Sequence, residues 1–163
     1  MNYATSFRER EGNAVVARDT DNTMGAIEEH CTRLRSWASI MGVIPAGVPF
    51  IRLAPGKMTV NLPITKEVET NGETGVHTSV LCGGTAMYIE DVAFGEIISV
   101  VNGLMPELTQ NWASTGPAEF HRGPDGFGVG TLVIPLRALA KASRATPPTR
   151  LHTTAPEERA RAS

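Results

Sequence analysis

Gly47–Leu53, "GVPFIRL", and the strand-like "MTVNLPITK" at 58–66 decide the fold, because both return in the second half of the chain. Phe50-Ile51-Arg52 reappears as Phe120-His121-Arg122 within "PAEFHRG" (117–123). "MTVNLPITK" reappears as "VGTLVIPLR" (129–137), with Pro63 matching Pro135. A helix-like stretch opens near a glycine ahead of each copy, at Gly25 and at Gly95. A strand-helix-strand-strand unit cannot bury its apolar faces alone, so two copies are expected to pack as one domain with pseudo-two-fold symmetry and a concave site on the axis.

Periodicity fills in the unit. "NAVVARD" (13–19) reads as its first strand, and Met24, Ile27, Cys31, Leu34, Ala38 and Met41 recur at three- and four-residue intervals, which makes an amphipathic helix. Asp21, Asn22 and Thr23 are candidate N-caps, and Gly42 followed by Pro45 ends the helix. Strands at 49–54 and 57–65 follow across Pro55-Gly56. In the second of them Val60, Leu62 and Ile64 alternate with Thr59, Asn61 and Pro63, the pattern of a sheet with one face in the core. The second half opens with "VHTSVLC" and "TAMYIEDV", read as a hairpin about Gly83-Gly84. Its helix has a stripe of Phe94, Ile97, Ile98, Val101, Met105, Leu108 and Trp112, with Pro106 breaking or kinking it, and strands at 118–122 and 128–137 close the unit. The expected fold is α+β, a pseudo-two-fold antiparallel sheet with two helices on one face and a central ligand groove. Its boundaries are an N-terminal extension over 1–12, a domain over 13–137 with repeats at 13–66 and 75–137, and a flexible tail over 138–163.

At 163 residues with 41% hydrophobic and 20% charged residues the chain is an ordinary single-domain length. The polar N-terminus has no signal-peptide core and no stretch reaches the length of a membrane span, so a cytoplasmic protein without a membrane partner is expected. The tail carries a net charge of +3 and the rest −5. With two glutamates and no aromatic in that tail, a solvated extension is expected rather than a nucleic-acid arm. Cys31 and Cys82 stand outside any metal spacing and read as buried thiols. His77 and His121 lack a second ligand at zinc spacing, so neither metal nor cofactor is expected.

"WASIMGVIPAGVPFIRL" (37–53), followed by "NLPI" and a later "TLVIPL", resembles the GyrI-like small-molecule (effector) binding domains over residues 13–137. The resemblance implies duplicated strand-helix-strand-strand units around a groove for bulky, often aromatic molecules, and in a subset hydrolysis of strained cyclopropane rings. Many relatives carry a buried glutamate in the last strand. Here that position is Thr131, with Thr59 as its counterpart, which favours an uncharged ligand. The resemblance and strand parity together make Trp37, Phe50, Thr59, Asn61, Tyr88, Glu90, Trp112, Phe120, Thr131 and Val133 the candidate ligand-binding residues. A binding module for a drug or natural product, serving sequestration, sensing or resistance, is the first reading. A hydrolase adding water to an electrophilic natural product is the second, with Glu90 and Tyr88 as its catalytic pair.

Overall fold

The computed structural model describes residues 2–70 and 74–140. The described residues form nine strands and two helices: β1 (Thr5–Arg10), β2 (Asn13–Thr20), α1 (Met24–Met41), β3 (Phe50–Ala54), β4 (Lys57–Ile64), β5 (His77–Leu81), β6 (Gly84–Ala93), α2 (Ile97–Leu108), β7 (Trp112–Ser114), β8 (Ala118–Gly123) and β9 (Gly126–Ala138). A 3-10 turn at Phe94–Glu96 leads into α2. Eight strands form one antiparallel sheet in the order β1-β6-β9-β8-β3-β4-β2-β5, and short β7 pairs with β9 beside it. The order is a palindrome about the β8–β3 junction, so the two units meet there. Most of the basic tail lies outside the described residues.

α1 forms as its sequence dictates. The Thr23 side chain accepts from the Ala26 N–H at the N-terminus, and Gly42, at φ 70°, closes the C-terminus in the left-handed conformation that glycine adopts without steric cost. Its Ile27, Cys31, Leu34 and Ala38 pack with Val60, Leu62, Ile64, Leu132 and Ile134 of the sheet in one apolar core. Burial pushes the Cys31 thiol up to about 11. α2 contains Pro106 two residues before its end and buries only Ile97 and Leu108; Ile98 is exposed. Among the described residues no helix is long and apolar enough to cross a membrane.

Three expectations need correction. β5 and β6 are no hairpin: β5 pairs with β2, and β6 pairs with β1 and β9, at opposite ends of the sheet. Residues 5–10, assigned from sequence to an extension, form the edge strand β1. The match of Phe50-Ile51-Arg52 to Phe120-His121-Arg122 is also one residue out of register. Ile51 faces Phe120 across the β3–β8 ladder and both lie in the core, whereas Phe50 lies outside the core cluster, opposite His121. Cross-strand pairs give the true correspondence. Phe50 opposite Asn61 in the first unit is matched by Glu119 opposite Val133 in the second, and Arg52 opposite Thr59 is matched by His121 opposite Thr131.

The exchange of β1 and β5 forces the sheet to curl. β1 and β2 stand six strand spacings apart along the ladder, about 29 Å if flat. The three residues from Arg10 to Asn13 reach only about 10 Å. The connectors β1–β2 and β5–β6 therefore cross: a Cβ on Gly83 would stand 2.7 Å from the Gly12 backbone nitrogen, so no larger residue fits. The result is a trough with both helices outside it.

Candidate functional site

The inner face of the trough has no covering layer, yet it is largely dry. Val15, Ala17, Phe50, Asn61, Glu119 and Val133 are all at most 1% exposed, and none belongs to the helix-side core. They are covered by the curled sheet and by side chains that reach across it. Arg10 of β1 extends to β8, where its two terminal nitrogens donate to both carboxylate oxygens of Glu119 at 2.8 and 2.7 Å; its Nε donates to the Cys82 carbonyl at 3.0 Å. Arg52 of β3 extends to β5, donating to Ser79 Oγ and the Val80 carbonyl, each at 3.0 Å.

Glu119 is the centre of this face. Burial works to raise its carboxyl pKa, but hydrogen bonds from Arg10 and from His121, whose Nε2 lies 3.0 Å from Oε1, outweigh it and hold the group below the ordinary glutamate value. The same pair keeps Arg10 charged: burial lowers its pKa, and Glu119, with Tyr88 alongside, more than compensates. Arg52 is shifted the other way, because burial lowers its pKa by more than Glu119 raises it. The His121 ring stacks on Phe50 with centroids 4.6 Å apart and planes 9° from parallel. Beside them Asn61 Nδ2 donates to the Thr59 carbonyl and hydroxyl, and Asn61 Oδ1 and Arg52 Nε are buried without a partner. They are a buried side-chain acceptor and donor on this face that no protein group satisfies.

At the rim a β-bulge between Ile89 and Val92 of β6, with Asp91 at φ 57°, sets Glu90 against β9. The Thr131 hydroxyl donates to Glu90 Oε1 at 2.9 Å, and Arg8 pairs with Oε2 at 3.2 Å while its guanidinium covers the Tyr88 ring at 4.4 Å. The Glu90 side chain is 36% exposed, so it is wet where Glu119 is dry.

The structure thus brings Phe50, Thr59, Asn61, Tyr88, Glu90, Thr131 and Val133 onto one face, and three sequence candidates lie elsewhere. Phe120 points into the core, edge-on to Phe94, since its strand neighbours Glu119 and His121 take the inner face. Trp37 packs half-buried from α1 against the helix-side core. Trp112 lies on β7, not at a helix end, and stacks on Phe7 at 5.2 Å, again on the helix side. Sequence reasoning missed Arg8, Arg10, Arg52, Glu119 and His121. The signal for Glu119 and His121 was present in the parity of β8, but the out-of-register repeat match concealed it. Arg8 and Arg10 carry no signal, because β1 has Phe7 as its one apolar residue and so lacks the alternation that marks a strand.

Two hollows open elsewhere on the surface, one on the helix side and one at the crossed connectors. An apolar slot of about 370 Å³ opens between α2 and the sheet, lined by Leu53, Val101, Met105, Pro117 and Ile134. A cleft of about 450 Å³ borders Gly12, Asn13, Cys82 and Gly83. Neither contains a buried charge, so the inner face holds the denser chemistry. Among the described residues no three His, Cys, Asp or Glu side chains converge as a metal site.

No protein-family profile matches the chain, and no curated protein matches it in sequence. Solved structures do. The crystal structure of the EcmrR C-terminal domain superposes with a TM-score of 0.62 at 10% identity, over 85% of this chain and all of that one. EcmrR in its complex with DNA gives 0.60 at 10% identity over 84% of this chain, which spans only 58% of the EcmrR chain. A hydrolase from Listeria innocua gives 0.50 at 12% identity, over 82% of this chain and 91% of that one. The likeness is one of fold.

Proposed function

We propose that this chain is a GyrI-like binding module that holds a bulky hydrophobic or aromatic molecule on the inner face of its trough, for sequestration, sensing or resistance to a drug or natural product. The observation that carries this reading is the aromatic and polar set gathered on the inner face, which side chains rather than a further layer of structure cover: the half-buried Tyr88 and His121, the buried Phe50 stacked on His121, and the unpartnered atoms of Asn61 and Arg52. A flat guest stacks on the partly exposed Tyr88 and His121 rings and, by displacing the side chains that cover the face, brings a carbonyl or hydroxyl to the unpartnered atoms. Fold alone does not assign a function, so the reading stands on these side chains.

Anisotropy titration of a neutral planar dye tests it. Intrinsic fluorescence is a poor reporter here, since both tryptophans lie on the helix side. Tyr88→Phe should weaken binding by about 1–3 kcal/mol through a lost buried hydrogen bond. Wild-type protein with no saturable dye binding would sink the reading. The hydrolase reading keeps Tyr88 and Glu90 on one face with Arg8 touching both. Incubation with a cyclopropane-bearing electrophile separates the two: water-addition product that disappears in Glu90→Gln would make the chain an enzyme.

A further inference from the structure

Glu119 faces Val133 across the β8–β9 ladder and is 1% exposed. It is already occupied. Arg10 presents its fork to both carboxylate oxygens, His121 takes a further position on Oε1, and the Arg10 side chain is itself only 12% exposed. A bidentate guanidinium–carboxylate pair is the strongest geometry available to either group. Arg10 belongs to an edge strand, and its counterpart in the first unit, paired with Asn13 as Arg10 is paired with Gly84, is Leu81. The cation is therefore a feature of one unit and not a demand of the fold. Deepening the binding function proposed above, on which its ligand-class conclusion rests, we infer that Arg10 is a built-in cation seated where a cationic guest would sit on Glu119, and that it sets the preference of the trough for uncharged molecules.

The energetics favour this assignment. A cationic guest on Glu119 has to displace Arg10 and leave a buried guanidinium without its partner, a loss that the new pair does not recover. A neutral guest leaves the pair intact. Arg52 adds to the effect: its guanidinium faces the same interior and is held by a hydroxyl and a carbonyl rather than a carboxylate. A second cation there meets fixed positive charge.

Vacating the position tests the inference directly. Benzamidine is an aromatic cation with the planar fork of a guanidinium, and benzamide is its neutral isostere. In Arg10→Ala, benzamidine should raise the melting temperature and bind about tenfold or more tighter than benzamide by calorimetry. It should leave wild type unmoved, and the effect should vanish in Arg10→Ala/Glu119→Gln. The Glu119 carboxyl, followed by carbon NMR, should titrate higher in Arg10→Ala and fall again with benzamidine. Equal response to both compounds, an equal response of wild type, or a response that survives Glu119→Gln would overturn the inference. So would an Arg10→Ala chain that stays unfolded at every benzamidine concentration, because an occupied carboxylate should restore the fold. Failure of the neutral dye to bind wild type would count against the binding function and leave the amidine result standing.

Discussion

The two units of the trough share a backbone and differ in chemistry. On the helix side they are nearly interchangeable: Val60, Leu62 and Ile64 in the first are Leu132, Ile134 and Leu136 in the second. On the inner face Thr59 is matched by Thr131 and Pro63 by Pro135, but Ala17 corresponds to Tyr88, Phe50 to Glu119, Arg52 to His121 and Leu81 to Arg10. Asp19, the counterpart of Glu90, pairs loosely with Lys57 and His77 at 3.6 and 3.5 Å in solvent. Core packing tolerates only apolar residues of similar volume, so it holds duplicated units alike. The inner face has no such constraint, and the second unit has gathered the buried ion pair together with Tyr88 and His121, while the first supplies Phe50 and Arg52.

Removing the two counterpart residues at the axis should break this comparison most visibly. Glu119→Ala leaves Arg10 buried and unpaired and should cost about 3–5 kcal/mol in denaturant unfolding. Phe50→Ala should cost a similar ~3–5 kcal/mol through lost packing. Phe120→Ala, equally buried, should match Phe50→Ala in stability but leave dye binding unchanged once folded, since it lies on the other face. Equal loss of dye binding in both would erase the distinction between faces. Next in size, Gly83→Ala should cost about 1–3 kcal/mol, because its Cβ meets backbone that cannot give way.

Acid sharpens the comparison further. The folded carboxyl of Glu119 resists protonation, whereas the unfolded chain takes up that proton near the usual value of about 4.3. The unfolded state thus binds more protons in acid, and the stability contributed by Glu119 is complete above that value and lost as pH falls through the lower folded one. Denaturant melts from pH 6 to pH 3 should show the slope in wild type and a shallower one in Glu119→Gln. The smallest effect belongs to the rim: Glu90→Gln and Asp19→Asn should each change stability by less than about 1 kcal/mol, both carboxylates being in solvent-screened pairs.

The fold was legible where local chemistry sets it. The period of α1, its Thr23 and Gly42 ends and the alternation along β4 need no distant partner to be read. What escaped was non-local. "VHTSVLC" and "TAMYIEDV" look like a hairpin because Gly83-Gly84 is good turn chemistry, yet each strand pairs across the molecule. Glu119 was hidden for a related reason: aligning Phe120 with Phe50 shifted β8 by one residue, and a shift of one exchanges the faces of a strand. Tyr88, Glu90 and Thr131 could be placed on the inner face because residues 87–90 of β6 and the strand β9 alternate about core residues.

The crossed connectors at Gly12 and Gly83 make the two units obligate exchange partners. Each lends its leading strand to the other, so Thr5 finds its ladder partner at Ile89 and Asn13 at Leu81. Neither unit has a complete sheet of its own, and such sequence-distant pairing slows folding relative to a chain of local hairpins. Cutting the chain in the linker between β4 and β5 should therefore give two fragments that are each unstructured alone and that assemble, on mixing, into one heterodimer with interlocked edges.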